Sequence, residues 1–255
     1  MVAELPERTT EVTVIGGLNV DFLAVAGDVP HQGTIDVDLH VELGLVFDRD
    51  ETDLSWLERA LERAGFVPIG PTGWRWRTGI GGAPVVLDLL CDVPDHLDQE
   101  ILLPGCARAG AMNLPGPRAA ALDVVLREIG AGPGREPVTV RFAGLGGYLL
   151  AKSSAAHHRG KNKDFYDLAY MLLHNERSGP AEAGEAAFHA LPSPDFANLR
   201  AVFPATVRRL TEVETARVYA EQRGRDGDEG DPDMLVQDVI GAAMVCASTF
   251  HALTG

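Results

Sequence analysis

Cysteine is scarce, with only Cys91, Cys106 and Cys246 in 255 residues, widely spaced and without a CxxC pair. An odd, scattered set argues against both a disulfide framework and a structural zinc site, which need several thiols at defined spacings. Buried free thiols are the expected state. Basic residues are few too, 22 Lys and Arg against 37 Asp and Glu, for a formal net charge of −15. That balance argues against binding nucleic acid through a broad positive field, so any such contact has to be local. Part of the acidity lies in residues 224–233, where glycines and like charges predict a solvated loop. Long apolar runs are also missing. The most apolar stretch, residues 239–253, is bounded by Asp238 and falls short of the roughly 18 to 20 residues a membrane span needs, which predicts a buried helix and no membrane partner. Residues 1–11 are polar and mixed in charge, with no basic and apolar leader, so the expected location is the cytoplasm.

What is present suffices for a core, since 45% of the residues are hydrophobic and the length suits one large domain or two small ones. Residues 11–17 read as a short strand ending in Gly16-Gly17. From Asn19 the periodicity leaves helix and strand both open. Residues 34–47 alternate, with Ile35, Val37, Leu39, Val41 and Leu43 on one face and Asp36, Asp38, His40 and Glu42 on the other. Asp53 suits an N-cap for a helix over 54–64 that Gly65 ends. Residues 73–77 and 83–91 read as antiparallel strands joined by the turn 78–82. Residues 118–129 carry a helical pattern, 137–142 a strand pattern, and 145–157 and 163–173 helical ones. Long helices are expected over 196–223 and 235–253. The change of character near residue 145 predicts an α+β fold with a catalytic half, residues 1–144, followed by a helical half, residues 145–255.

Asp36 and Asp38 share a strand face, with their carboxylates several ångströms apart. Two such anions repel unless a cation joins them. Magnesium takes hard oxygen ligands, and paired ions hold the attacking and leaving oxygens of phosphoryl transfer in line. Asp88, within Val85-Val-Leu-Asp-Leu-Leu90, is the candidate third ligand, because an ionised carboxylate in so apolar a run needs a cation or hydrogen bonds. The plain alternative for a lone Asp-x-Asp is a solvated strand face. Gly16-Gly17 lets backbone amides approach phosphate oxygens without a Cβ in the way, although such pairs are usually only turns.

A second block lies downstream: Lys152, Arg159, then Lys163-Asp164-Phe-Tyr-Asp167-Leu-Ala. On a helix Asp164, Asp167 and Leu168 share one face. Lys152, the first choice for stabilising phosphate charge, and Arg159 supply positive charge. The aspartates orient Lys152, Arg159 or Lys163 by ion pairing, or one of them acts on an acceptor hydroxyl. Surface Lys–Asp bridges, worth under about 1 kcal/mol, are the plain alternative. His40 flanks the acidic face, and the adjacent His157 and His158 read as solvated. Trp74 and Trp76 alternate with Arg75 and Arg77, which reads as packing at a core edge, with base stacking as the sharper alternative.

Taken in order, Gly16-Gly17, Thr34-Ile-Asp-Val-Asp-Leu39, Asp88 and the Lys152…Arg159…Lys163-Asp164…Asp167 block resemble the motifs of the AbiEii-type nucleotidyltransferases, a toxin-containing branch of the DNA polymerase β-like superfamily. Gln32 stands where many members carry an arginine, and the stretch after Gly17 lacks their small-residue helix start. The resemblance implies a polymerase β-like core with a mixed sheet. It further implies Asp36, Asp38 and Asp88 as ligands of Mg2+, and Gly16, Gly17, Thr34, Lys152, Arg159, Lys163 and Asp167 as nucleotide-binding residues. Asp164 and Lys152 join the three ligands as catalytic residues. The activity implied is transfer of a nucleoside monophosphate from a nucleoside triphosphate to an acceptor hydroxyl. The acceptor would be RNA such as tRNA, and a cognate antitoxin would oppose the enzyme. Two rivals are transfer to a small molecule, as in aminoglycoside nucleotidyltransferases, and a nucleotide-sensing or partner-binding protein without turnover.

Overall fold

The structure, a computed structural model, describes residues 11–25, 30–43, 53–94, 96–130, 136–191 and 197–254. It is an α+β protein with a mixed sheet and a helical C-terminal half. In chain order the first elements are β1 (Val12–Ile15), a 3-10 turn (Gly16–Asn19), α1 (Val20–Leu23), β2 (Asp36–Val41), α2 (Ser55–Arg63) and β3 (Val67–Ile69). Then come β4 (Arg75–Ile80), β5 (Ala83–Cys91), β6 (Glu100–Leu102), β7 (Gly110–Asn113), α3 (Pro117–Ala120), β8 (Val124–Ile129) and β9 (Val138–Ala143). The rest is helical: α4 (Leu145–Arg159), α5 (Asn162–His174), α6 (Pro180–His189), α7 (Ala197–Arg209), α8 (Val213–Arg225) and α9 (Pro232–Thr254). The chain divides into two compact units, Met1–Leu18 with Thr34–Phe142, and Asn19–Gly33 with Ala143–Gly255. Segment Asn19–Gly33 therefore groups with the helices, which a linear division at residue 144 does not include.

In the first unit the strands run in the order β3-β4-β5-β2-β1-β9-β8, with β7 also paired to β5 and β6 to β7. β2 lies parallel to β5 and antiparallel to β1, and β1 lies parallel to β9. The described part of the predicted 34–47 strand is Asp36–Val41, and residues 44–47 lie outside the described residues. Its alternation is not a simple inside and outside, because Ile35 is exposed while Leu39, His40 and Val41 are all buried. Asp53 Oδ1 accepts the Ser55 N–H at 2.9 Å just ahead of α2, but the residue at the cap position is Leu54 and not the expected Asp53; past Arg63 the chain turns away at Gly65, which has φ +78°. It buries Leu57, Ala60 and Leu61.

Three expected elements are corrected. Residues 118–129 form no single helix: α3 ends at Ala120 and the chain then enters β8. The β-branched pair Val124-Val125 suits a strand, and a place beside β9 decides against the helical spacing. Residues 197–225 form two helices, because the backbone tightens at Leu210, Thr211 and Glu212, whose N–H groups reach carbonyls three residues back. The Thr211 hydroxyl also donates to Arg208 O at 2.7 Å, capping α7 there. Residue 196, the expected start, lies outside the described residues. The turn between β4 and β5 is also tighter than 78–82, since β4 runs to Ile80 and only Gly81 and Gly82 turn, with φ +59° and +86°. Two residues with positive φ match the right-handed twist of a hairpin.

In the helical unit α5 buries Phe165, Tyr166, Leu168, Ala169, Met171 and Leu172, and α1 joins it through the Ala24–Asn175 bridge. Helices α4 and α6 approach closely enough that a Cβ on Gly146 would lie 2.2 Å from Ala186 O. Among the described residues α9 is the one helix long and apolar enough, by length and composition, to cross a membrane, at 23 residues. It buries Val236, Val239, Ala242, Ala243, Cys246, Ala247 and Phe250. The acidic loop narrows to the turn between α8 and α9, and Asp228 is tied down by Arg223 at 2.8 Å. None of the three cysteines is in a disulfide: Cys91 and Cys246 are buried and Cys106 is partly exposed.

Candidate metal centre

Residues in register on parallel neighbouring strands share a face, and the pairing of β2 with β5 sets Asp38 opposite Asp88 and Asp36 opposite Val86. One carboxylate oxygen from each of Asp36, Asp38 and Asp88 lies within 4.8 Å of the others. Asp88 is 5% exposed. At an effective dielectric near 20, unit charges at that spacing repel by roughly 3.5 kcal/mol per pair. Three oxygen donors so gathered suit a hard divalent cation such as magnesium.

Gly16 closes the site from the end of β1, at φ +74°. A Cβ there would lie 1.9 Å from Asp38 Oδ2, so the turn backbone rests against that carboxylate as only glycine allows. A Cβ on Gly17 would lie 2.8 Å from the Thr34 Cβ. The Thr34 hydroxyl donates to Asp36 Oδ1, which fixes that carboxylate at the start of β2.

Sequence reasoning missed Arg75. It stands directly opposite Asp88 on β4, donating Nε–H to Oδ1 at 2.7 Å and Nη2–H to Oδ2 at 2.5 Å. Its guanidinium also lies 4.7 Å from the centre of the Trp74 ring. The hydrogen bonds to Asp88, opposed by partial burial and aided by the charges of Asp88, Asp36 and Asp38, raise the Arg75 pKa above its ordinary value. Trp76 is a core residue with no exposed surface, its indole N–H donating to Gly73 O at 2.6 Å. His40, two positions past Asp38, is buried; burial first, then Arg118 and Arg141, pull its pKa down to about 3, so it is neutral at pH 7.

The second block assembles within the helical unit, where α4 meets α5. Lys152 Nζ donates to Asp167 Oδ2 at 2.6 Å and lies 3.6 Å from Asp164 Oδ1. Arg159 donates to Asp164 Oδ1 at 2.8 Å, and Lys163 lies 3.6 Å from Asp167 Oδ2. His31 was also missed: its Nδ1 accepts the Gly33 N–H at 3.1 Å, so Nε2 carries the proton it donates to Asp167 Oδ1 at 2.9 Å. Burial pushes the Asp167 carboxyl up, but the charge of Lys152, the His31 hydrogen bond and Lys163 outweigh it and hold its pKa well below the carboxylate range. Asp164 Oδ2 is buried with no hydrogen-bond partner among the described residues. His158 Nδ1 lies 2.8 Å from Ser154 O, and His157 packs edge-on to it.

Asp36, Asp38, Asp88, Gly16, Gly17 and Thr34 thus come together in the strand unit, and Lys152, Arg159, Lys163, Asp164 and Asp167 in the helical unit. Gln32 belongs to the helical unit and lines a cavity of about 200 Å³ with Lys163, Tyr166 and Arg225.

No protein-family model matches the chain, and no curated protein matches it. Among solved structures it is similar to a proposed nucleotidyltransferase from H. pylori, at 11% identity and a TM-score of 0.45, over 99% of this chain and 92% of the other. A likeness of that degree assigns neither a family nor an activity.

Proposed function

We propose that the chain is a magnesium-dependent nucleotidyltransferase that moves a nucleoside monophosphate from a nucleoside triphosphate to an acceptor hydroxyl. The observation that carries this reading is the gathering of the Asp36, Asp38 and Asp88 carboxylate oxygens within 4.8 Å. These three would hold the metal, whose chemistry when bound is polarisation of phosphate oxygens and of the acceptor hydroxyl. Thr34 keeps Asp36 oriented, and Gly16 and Gly17, packed against Asp38 and Thr34, are read as the turn beside which the triphosphate lies. The acceptor hydroxyl gives up its proton to water, its oxygen bonds to the α-phosphorus, the α–β phosphoanhydride breaks, and pyrophosphate leaves with the bonding electron pair. The motif resemblance makes Lys152, Arg159 and Lys163 nucleotide-binding residues, with Asp167 fixing Lys152.

The motif resemblance favours an RNA acceptor such as tRNA and a toxin held in check by an antitoxin. The net charge of −15 favours a second reading, a small polar acceptor, since an RNA track draws on clustered cations. Incubation with Mg2+ and each labelled triphosphate, with total tRNA or an aminoglycoside as acceptor, separates the two. The expected outcome is label transfer that chelation of the metal stops. Asp38→Ala should reduce transfer to background with an unchanged circular dichroism spectrum. Transfer that survives in folded Asp38→Ala would overturn the metal-site reading.

A further inference from the structure

The Arg75–Asp88 fork sits on one of the three carboxylates the metal reading requires, and both Asp88 oxygens are engaged by it. Asp88 is fixed, since its side chain is 7% exposed and its strand is flanked by β2 and β4. The Arg75 side chain is 39% exposed, on the end of a long flexible stem, so it is the partner able to move. Three carboxylates and one guanidinium carry a formal charge of −2 between them, and the guanidinium relieves the repulsion among the carboxylates when no metal is bound. The same positive charge, within hydrogen-bond reach of a ligand atom, repels an incoming divalent ion. We infer that Arg75 is the resident counter-ion of the aspartate triad, and that a divalent cation binds by opening the Arg75–Asp88 fork. The inference rests on the reading of Asp36, Asp38 and Asp88 as a metal site.

Metal affinity is therefore set below what three carboxylates alone would give, while the metal-free protein keeps its site assembled. An arginine that merely positioned Asp88 would act the other way, because its loss would weaken metal binding. Mn2+ titrations of the full chain, read by electron paramagnetic resonance and calorimetry, separate the two. Arg75→Gln is expected to bind Mn2+ at least tenfold more tightly than wild type, and Arg75→Lys, which keeps the charge, to stay near wild type. Metal-free Arg75→Gln should melt below wild type and gain more from added Mn2+. If Arg75→Gln does not fold, the wild-type protein still gives the answer: saturating Mg2+ should shift the Arg75 Nε–Hε resonance, assigned with Arg75→Lys, and speed its exchange with water. A folded Arg75→Gln with equal or weaker Mn2+ affinity, or an unmoved resonance at saturation, sinks this inference alone. Absence of Mn2+ binding in both wild type and Arg75→Gln sinks the metal reading with it.

Discussion

Gly16 has φ +74°, and its missing Cβ would point at the Asp38 carboxylate. Gly16→Ala adds left-handed strain of roughly 1 kcal/mol and forces Asp38 aside, so Mn2+ affinity should fall at least tenfold while the far-ultraviolet spectrum stays native. Equal affinity in wild type and variant would mean that the turn does not shape the site. Asp167 provides the pH test. Its carboxyl is held well below the ordinary aspartate value of 3.8, so its contribution to stability is present above that pH and is lost as the pH falls below it. The groups facing it are Lys152, Lys163 and His31, with Asp164 beside Lys152. Asp167→Asn should cost about 2 kcal/mol at pH 7 by removing the nearer of the two carboxylates on Lys152, Asp164 at 3.6 Å being the one that stays, and the urea midpoint of the variant should fall less than that of wild type as the pH drops from about 4 to about 2. At this scale the legible residues were those tied to a local period: Asp36 and Asp38 follow from strand alternation alone. Arg75 was hidden by the turn length, because only a two-residue turn at Gly81-Gly82 brings it opposite Asp88, whereas a turn over 78–82 slides the register. His31 was hidden by distance, since no local period links it to a partner 136 positions away.

Helices α4 and α6 meet through glycine, and so do α6 and α9, where a Cβ on Gly184 would lie 2.6 Å from Cys246 O. Both obstacles are backbone atoms, which cannot rotate away. Gly146→Ala should therefore destabilise by about 1–3 kcal/mol, as overpacking does. Gly241→Ala on α9, with nothing within 4 Å of the added methyl, should be neutral or stabilise by up to about 1 kcal/mol. Urea denaturation of the two variants checks the contrast; equal effects would mean that the helices part without cost. Elements with strong periodicity and marked ends were readable, among them α2 between Asp53 and Gly65, β5, and α4 and α5. The segment after Pro117 was not, because alanines and leucine give it a helical pattern while pairing at the sheet edge, which no local signal carries, makes it β8. The break after Arg209 lacks Gly or Pro; Pro204 lies inside α7, before the break, and so marks no boundary.

Across the whole chain, the strand-rich and helical halves were legible from the change of pattern near residue 145, but the membership of Asn19–Gly33 was not. Val20 and Leu23 are buried, the Val25 N–H donates to His174 O at 2.8 Å, the Glu176 N–H to Leu23 O at 2.7 Å, and His31 holds Asp167. These partners lie more than a hundred positions apart in sequence, beyond any window of periodicity. A fragment of residues 143–255 should accordingly melt well below the same fragment mixed with a synthetic 19–33 peptide, by circular dichroism. Identical curves would show the segment to be dispensable. The excursion also bears on how such a gene can change. One crossover near codon 143 would join a foreign helical half to a resident 19–33 segment selected for other side chains. The pairing of His31 with Asp167 would then be left to chance, so the two units are expected to be inherited as a pair rather than shuffled as modules.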